Sequence, residues 1–407
     1  MLLRGAKITT VDDVRYFIDK RKWENHRGPP PGHPCADPKL KNTAKCRRTI
    51  ELFNSAVTYD IKKNVDRKES VRCLTGMQKA DLKRKDKLKI LHIGTGTLIQ
   101  NVYRDLQQKD GNVSHVMVHT TTAKKGGYDM NLSMSPYEFG WGHNIKSILA
   151  NTFNGNFRDL LRYDVYHIHH DAFLLPSKKD IAWLKYKFKK KVLLDWRGQG
   201  VRVWGFNCIP WLSKIRQICS SPDLLDFQEY EGQFEWLPFG IDIGYFNRIK
   251  TTSDEDNPLI MHATANWKIK GTDHVLKAVD ELKKEGYKFR FLLNDKVPYE
   301  TTVKNYAKSD IVVDWINPIY GIYGTVSIES MALGKACCAS LNPKYDRYLP
   351  GCPVVNCSPK DLKEKLIYLI ENPSERKRIG KEGKEYVRKM HDIKKIKDKL
   401  YDIYDEC

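Results

Sequence analysis

A chain of 407 residues, 41% of them hydrophobic, exceeds what one core usually supports, so two globular domains are expected and a disordered chain is excluded. No apolar run approaches the roughly 20 residues that a bilayer span needs, and "MLLRGAKITTVDD" turns charged before a signal-peptide core can form, so the expectation is a soluble, cytoplasmic chain. Lys and Arg number 70 against 50 Asp and Glu, and the resulting charge of +20 attracts polyanions without saying which.

Residues 1–87 read as a basic N-terminal extension, with 22 Lys and Arg against 11 Asp and Glu. It holds a helix-like "TVDDVRYFIDKRKW", a breaker "HRGPPPGHPCADP", a second helical stretch "CRRTIELFNSAVTYDIKK" and a basic connector "KADLKRKDK". Nucleic acid or an anionic membrane, contacted peripherally, are the partners this charge admits. The aromatics among it, Tyr16, Phe17 and Trp23, are too few for a base-stacking platform. His33, Cys35 and Cys46 fit no standard zinc spacing, and ten cysteines without a CxxC pair read as reduced thiols.

From Leu88 the texture changes to short apolar runs alternating with amphipathic ones, the pattern of a parallel α/β sheet. "KLKILHIGTGT", "VSHVMVHTT", "DVYHIHHDAF" and "KKVLLDWRGQG" are predicted strands, and "NIKSILANTFNGNFRDLLR" a helical connection. Loops at the carboxyl ends of such strands form the ligand crevice. Gly94 and Gly96 are therefore candidates for close backbone approach to an acceptor or phosphate, and Arg202 for anion or interdomain contacts. His167 is expected to point into the sheet. His169 and His170 at the strand end are candidate polar contacts or bases, with His170 taken as the catalytic candidate.

This first domain spans 88–248, and "RIKTTSDEDNP" reads as a polar linker. Asp254, Glu255 and Asp256 have a divalent-ion spacing but sit in that linker, so they are assigned to solvent and no metal is expected. A second α/β series fills 258–390. It runs from the strand and loop "PLIMHATANWKIKG" through the helix "TDHVLKAVDELKKEG", the strand "YKFRFLLND", the helix "YETTVKNYAKS" and the strand "DIVVDWI". Two nucleotide-binding-like halves facing one another enclose a cleft suited to a donor on one side and an acceptor on the other.

In "YGTVSIESMALGKACCAS" a glycine loop feeds a helix start, whose unpaired amides and partial positive charge suit a diphosphate. Glu329, one turn into that helix, can accept hydrogen bonds from ribose hydroxyls. Lys270, at another loop-to-helix junction, supplies a cation for a leaving diphosphate.

At this point the sequence resembles the GT-B glycosyltransferases, most nearly the GT4-like group (glycosyltransferase group 1) that retains anomeric configuration. The carriers, over roughly residues 88–407, are "WLPFGID", similar to the interdomain "vPNGVD"; "HATANWKIKGTDHVLKAVDEL", similar to the "R…KG" donor loop and helix; and "YGTVSIESMALGKACCAS", similar to "GFGLPLLEAMACGTPVVAS". The ending "NPSERKRIGKEGKEYVRKMHDIKKIKDKLYDIY" is also typical of the family.

The resemblance implies a GT-B fold, two facing Rossmann-like domains with a central cleft, and a terminal helix over 391–407 returning to the first domain. It implies a hexosyl or related transferase using a nucleotide-diphosphate sugar as donor substrate, with no cofactor and no metal. The acceptor would be a glycan, a lipid-linked glycan, a protein or modified nucleic acid. Glu329 matches the second glutamate of the family's E-x7-E motif, which contacts the donor ribose. Gly324, Thr325, Val326 and Ser327 match the phosphate loop, and Lys270 matches the phosphate-binding lysine. Two positions depart. The first motif glutamate falls on Gly321, and the arginine five residues before Lys270 falls on Ala265, with Asn266 and Lys268 as the nearby polar substitutes. These departures keep open a second reading, a catalytically impaired relative that binds nucleic acid or anionic membrane through residues 1–87.

Overall fold

The computed structural model describes residues 73–94, 98–118, 128–132, 141–169, 179–198, 202, 214–228 and 232–407. Most of the basic extension, with His33, Cys35 and Cys46, lies outside the described residues. Of its last part, α1 (Gly76–Asp81) is fixed by a capping box between Thr75 and Gln78.

The expected apolar runs pair into a wholly parallel seven-stranded sheet of order β3-β2-β1-β4-β5-β6-β7. Its strands are β1 (Lys89–Gly94), β2 (Val113–Val118), β3 (Met130–Asn131), β4 (Val165–His169), β5 (Lys191–Trp196), β6 (Arg216–Cys219) and β7 (Glu235–Trp236). β1, β4 and β5 are buried along almost their whole length because helices cover both faces. One face carries α2 (Leu98–Lys109). The other carries α4 (Asn156–Leu160) and α5 (Lys179–Ala182), the latter running into a π-helical turn over Trp183–Lys187. The connection "NIKSILANTFNGNFRDLLR" is two helices, α3 (Trp141–Phe153) and α4, rather than one. Gly155 adopts φ 70°, a left-handed conformation that breaks the helical hydrogen-bond ladder.

After the short α6 (Ile243–Asn247) the chain builds a second parallel sheet of order β12-β11-β10-β8-β9. It consists of β8 (Leu259–Thr264), β9 (Arg290–Asp295), β10 (Ile311–Val313), β11 (Ala336–Ala339) and β12 (Val355–Asn356). Around it lie α7 (Trp267–Lys270), α8 (Thr272–Lys284), α9 (Tyr299–Lys308), α10 (Thr325–Ala332), α11 (Leu362–Glu371) and α12 (Pro373–Met390). The predicted strand "DIVVDWI" is shortened to Ile311–Val313, although the Asp314 amide still bonds to the Cys338 carbonyl at 2.8 Å and the Trp315 carbonyl accepts from the Ser340 amide at 2.7 Å. The linker acids stand at the surface as expected, with Asp254 pairing with Arg290 at 3.4 Å and Glu255 with Lys377 of α12.

α13 (Ile393–Asp405) crosses back to the first domain. Ile393, Ile396, Leu400 and Ile403 form one helical stripe, packed in a single cluster with Ile90, Val165 and Leu193 of the seven-stranded sheet. Each such burial stabilises by about 1.5–3 kcal/mol. The crossing is fastened by a parallel bridge between Ile241 and Asp392, and by His391, whose Nδ1 lies 2.7 Å from the Phe239 carbonyl. Asp226 joins the domains a second time, accepting from Lys344 Nζ at 2.6 Å and from the Tyr345 hydroxyl at 2.5 Å. No helix among the described residues is long and apolar enough to cross a membrane.

Candidate functional site

The carboxyl end of β10 delivers Asp314 into the cleft side of the second sheet, fully buried. Its Oδ2 accepts from the Gly324 amide at 2.7 Å, the Ser327 amide at 3.3 Å and the Ser327 hydroxyl at 2.9 Å. Its Oδ1 pairs with Lys270. One carboxylate thus ties the last residue of α7 to the first turn of α10, so Lys270 and Gly324–Ser327, 54 residues apart from Lys270 to Gly324, come together. Lys270 keeps 14% of its side chain exposed; burial lowers its pKa, with Asp314 pulling the other way. Thr325 is exposed and Val326 half-buried, so the two amides between those held by Asp314 lie at the open side of the turn.

Glu329 follows one turn on, 7% exposed, and accepts from the Tyr299 hydroxyl of α9 at 3.1 Å. Burial, and then the Glu329 charge, push the Tyr299 phenol well above its usual range, so it stays a donor to that carboxylate. Gly324 is required by space: a Cβ there would lie 2.8 Å from the Trp315 indole nitrogen. That indole N–H has no hydrogen-bond partner among the described residues. The Trp315 ring also carries Lys270 Nζ 4.8 Å from its centroid and the Arg202 guanidinium 5.2 Å from it.

Arg202 comes from the other domain. A bidentate pair to Asp223 of its own domain, at 2.7 and 3.0 Å, aims it at Trp315, so its contact with that ring is interdomain, one of the two roles expected for it. Asn266 is committed locally: its side chain caps α7 by accepting from the Ile269 amide at 3.2 Å. Ala265 is exposed. Gly321, at the position of the family's first glutamate, has φ 65°, and a Cβ there would fall 2.5 Å from Asn342 Cβ. The backbone itself therefore refuses a glutamate at 321.

In the first domain Gly94 ends β1, where a Cβ would run into the Gln100 side chain. Gly96 and His170 lie outside the described residues. His169 is fully buried and joins His92 and His167 around Asp195. His92 Nδ1 is 3.0 Å from His169 Nε2, while Asp195 Oδ2 lies 3.2 Å from His169 Nδ1 and 3.3 Å from His167 Nε2. His167 turns its other nitrogen to the Tyr404 hydroxyl of α13, 2.8 Å away. Burial holds all three imidazoles neutral, His92 down at about 3. For Asp195 burial acts upward, and the Arg197 charge with the two histidines outweighs it, keeping the carboxyl well below its usual range. Ligand atoms of the three histidines lie within 4.8 Å of one another, but the His167 and His169 rings stack at 4.0 Å. In-plane lone pairs of stacked rings do not converge on one ion, and the cluster reads as a hydrogen-bonded brace.

Sequence reasoning missed Asp314, Trp315 and Tyr299. Asp314 and Trp315 carried a legible signal, since polar residues immediately after a buried strand sit at the crevice. Tyr299 carried none, being one of several aromatics on an ordinary amphipathic helix.

Residues 264–402 match the model of a family described as glycosyl transferase-like. No curated protein matches the chain significantly by sequence. Among solved structures, sucrose-phosphate synthase from Thermosynechococcus elongatus superposes with a TM-score of 0.57 at 15% identity, covering 79% of this chain and 99% of that one. An α-glucosyltransferase in complex with UDP and a 13-mer DNA containing a central A:G mismatch gives 0.54 at 10% identity, over 78% of this chain and 100% of the other. HepE from Anabaena, in complex with UDP-glucose, gives 0.51 at 13% identity, over 79% and 100%. The two parallel-sheet domains share the GT-B fold of these structures, and residues 264–402 are similar to the glycosyl transferase-like family.

Proposed function

We propose that the protein transfers a sugar from a nucleotide-diphosphate donor seated at the start of α10, as a retaining, metal-independent enzyme of the GT4-like kind. The observation that carries this reading is the convergence of Lys270, the first turn of α10 and Glu329 through the buried Asp314. In it, the outward amides of Thr325 and Val326 receive the diphosphate, and the helix dipole with the Lys270 ammonium stabilises the charge that develops as the sugar leaves. Glu329, its geometry fixed by Tyr299, accepts the ribose hydroxyls. The domain carrying Arg202 closes over the donor and excludes water. HepE and the α-glucosyltransferase are held with UDP-glucose and UDP, which makes a uridine donor the first to try.

Gly321 leaves no carboxylate for the transferred sugar at the family's position, so its recognition passes to other cleft residues. His170 stays a candidate for that side of the reaction. The acceptor is a glycan, lipid-linked glycan, protein or modified nucleic acid.

Calorimetry with UDP-, GDP-, ADP- and dTDP-sugars tests the reading. One donor binds the wild type. Glu329→Ala weakens it roughly 10- to 100-fold, as expected for a lost charge-assisted hydrogen bond. Lys270→Ala lowers turnover by about a hundredfold or more. Equal binding and turnover in both variants would sink the assignment.

A further inference from the structure

Nine of the twelve large hydrophobic side chains that stand exposed among the described residues belong to the first domain, which makes their distribution a property of that domain rather than of surfaces in general. Two elements concentrate them.

α3 is turned inside out. Its inward positions are polar: Ser147 and Asn151 are buried, and Asn151 donates to the Leu132 carbonyl at 3.1 Å. Its apolar stripe, Ile145, Leu149 and Phe153 at helical spacing, faces solvent, with Phe153 85% exposed. The second element is the π-helical turn with the residues that follow it, "WLKYKFKK" over 183–190. Leu184 packs inward, while Trp183, Tyr186 and Phe188 stand 52%, 48% and 39% exposed. Lys185, Lys187, Lys189 and Lys190 alternate with them, and none of the four has an ion-pair partner among the described residues.

Both elements lie on one side of the seven-stranded sheet. Strand residues alternate in direction, and Tyr166, Ile168, Val192 and Leu194 share a cluster with Leu160 of α4 and Ile181 of α5. The intervening Val165 and Leu193 pack instead with α2 and α13 on the opposite side. α3 packs on α4, the Asn156 side chain donating to Asn151 at 2.7 Å. Aliphatic stripe, aromatic edge and the lysines therefore lie on the same side of the sheet.

We propose that this face is a docking surface for an anionic lipid bilayer, entered peripherally. Aromatic rings at the depth of the headgroups, aliphatic side chains toward the acyl boundary and lysines on the lipid phosphates are the combination such a surface rewards. Nucleic acid would use the rings and lysines but has nothing for Ile145 and Leu149. The site differs from the amino-terminal basic segment, and it stands whether or not the donor reading holds.

The test is co-sedimentation of the full chain with vesicles of phosphatidylcholine, with and without phosphatidylserine, across a salt series. The wild type is expected to partition onto the serine-containing vesicles and to be released as salt rises. Replacing Lys185, Lys187, Lys189 and Lys190 by Glu should cost about tenfold or more in partitioning. Leu149→Ser with Trp183→Ser should weaken what remains, at an unchanged melting temperature. Three outcomes overturn the proposal. The wild type stays in the supernatant with both vesicles, or the lysine variant binds as the wild type does and the attraction belongs to residues 1–87. In the third, a single-stranded oligonucleotide is bound instead of vesicles and lost in the same variants.

Discussion

The two domains share an architecture and differ in what they bury. In the first, four imidazoles, His92, His115, His167 and His169, are sequestered with Asp195 and Arg197, while its apolar surplus is left outside on α3 and the π-helical turn. The second buries one sheet histidine, His262, held between the Val313 carbonyl and the Thr272 hydroxyl at 2.9 Å each, and brings Lys270 and Asp314 together at the head of α10. A parallel sheet fixes only where loops emerge. The polar residues placed at those emergences decide whether a domain braces itself or presents a site.

Acid should separate the two halves most strongly. Burial holds the four imidazoles of the first domain below their ordinary value of 6.5. Between that value and the depressed ones the unfolded chain binds protons that the folded domain refuses. Stability is therefore full above the unfolded pKa and falls as the pH drops through it. The second domain has His262 alone in its sheet, lowered by burial to about 4. Hydrogen exchange at pH 5.5 should show amides of β1, β4 and β5 losing protection before those of β8 and β10. Equal loss in both sheets would remove the contrast.

A smaller effect separates two glycines within the second domain. Gly271 has φ 69°, and a Cβ there would lie 2.1 Å from the Ile316 carbonyl oxygen, so Gly271→Ala should cost about 3 kcal/mol or more in a urea titration. Gly321→Glu, which restores the family's residue type, should destabilise by a similar amount and leave donor binding no better. A gain in turnover would show that the loop yields where the geometry says it does not.

How much of this was legible follows from the same contrast. The alternation of strands and helices and the placement of "GTVS", Glu329 and Lys270 at loop-to-helix junctions were readable because each depends on a local pattern: apolar runs, a glycine before a helix, a residue one turn in. Asp314 was legible only as a polar residue after a buried strand, since its role exists only once β10 brings it to the start of α10. The histidine brace was half-legible. "HIHH" announced alternation, but the pairing of His92 with His167 across neighbouring strands needs the register. Arg202 illustrates the limit, its two candidate roles being separable only once Asp223 and Trp315 were located.

The mildest test concerns the seam between the halves. Arg202→Lys keeps the charge but loses the bidentate pair and the planar stacking on Trp315, so the melting temperature should fall by the equivalent of about 1–2 kcal/mol. Small-angle scattering should show a broader spread of domain separations. An unchanged profile would mean that Asp226 with Lys344 and Tyr345, together with the α13 crossing, holds the seam without Arg202.

The return of α13 has a consequence for synthesis. The strands of the first sheet leave the ribosome in the order of the chain, yet Ile90, Val165 and Leu193 are covered by residues that emerge more than 150 positions after the last of those strands, Glu235–Trp236. At 5–20 residues per second that is a wait of roughly ten to thirty seconds. During it the second domain can complete its own sheet, while the first stands with one apolar face covered only in part, by α2. The half that is translated first is therefore the half that finishes last, and a nascent-chain chaperone would find its binding surface there.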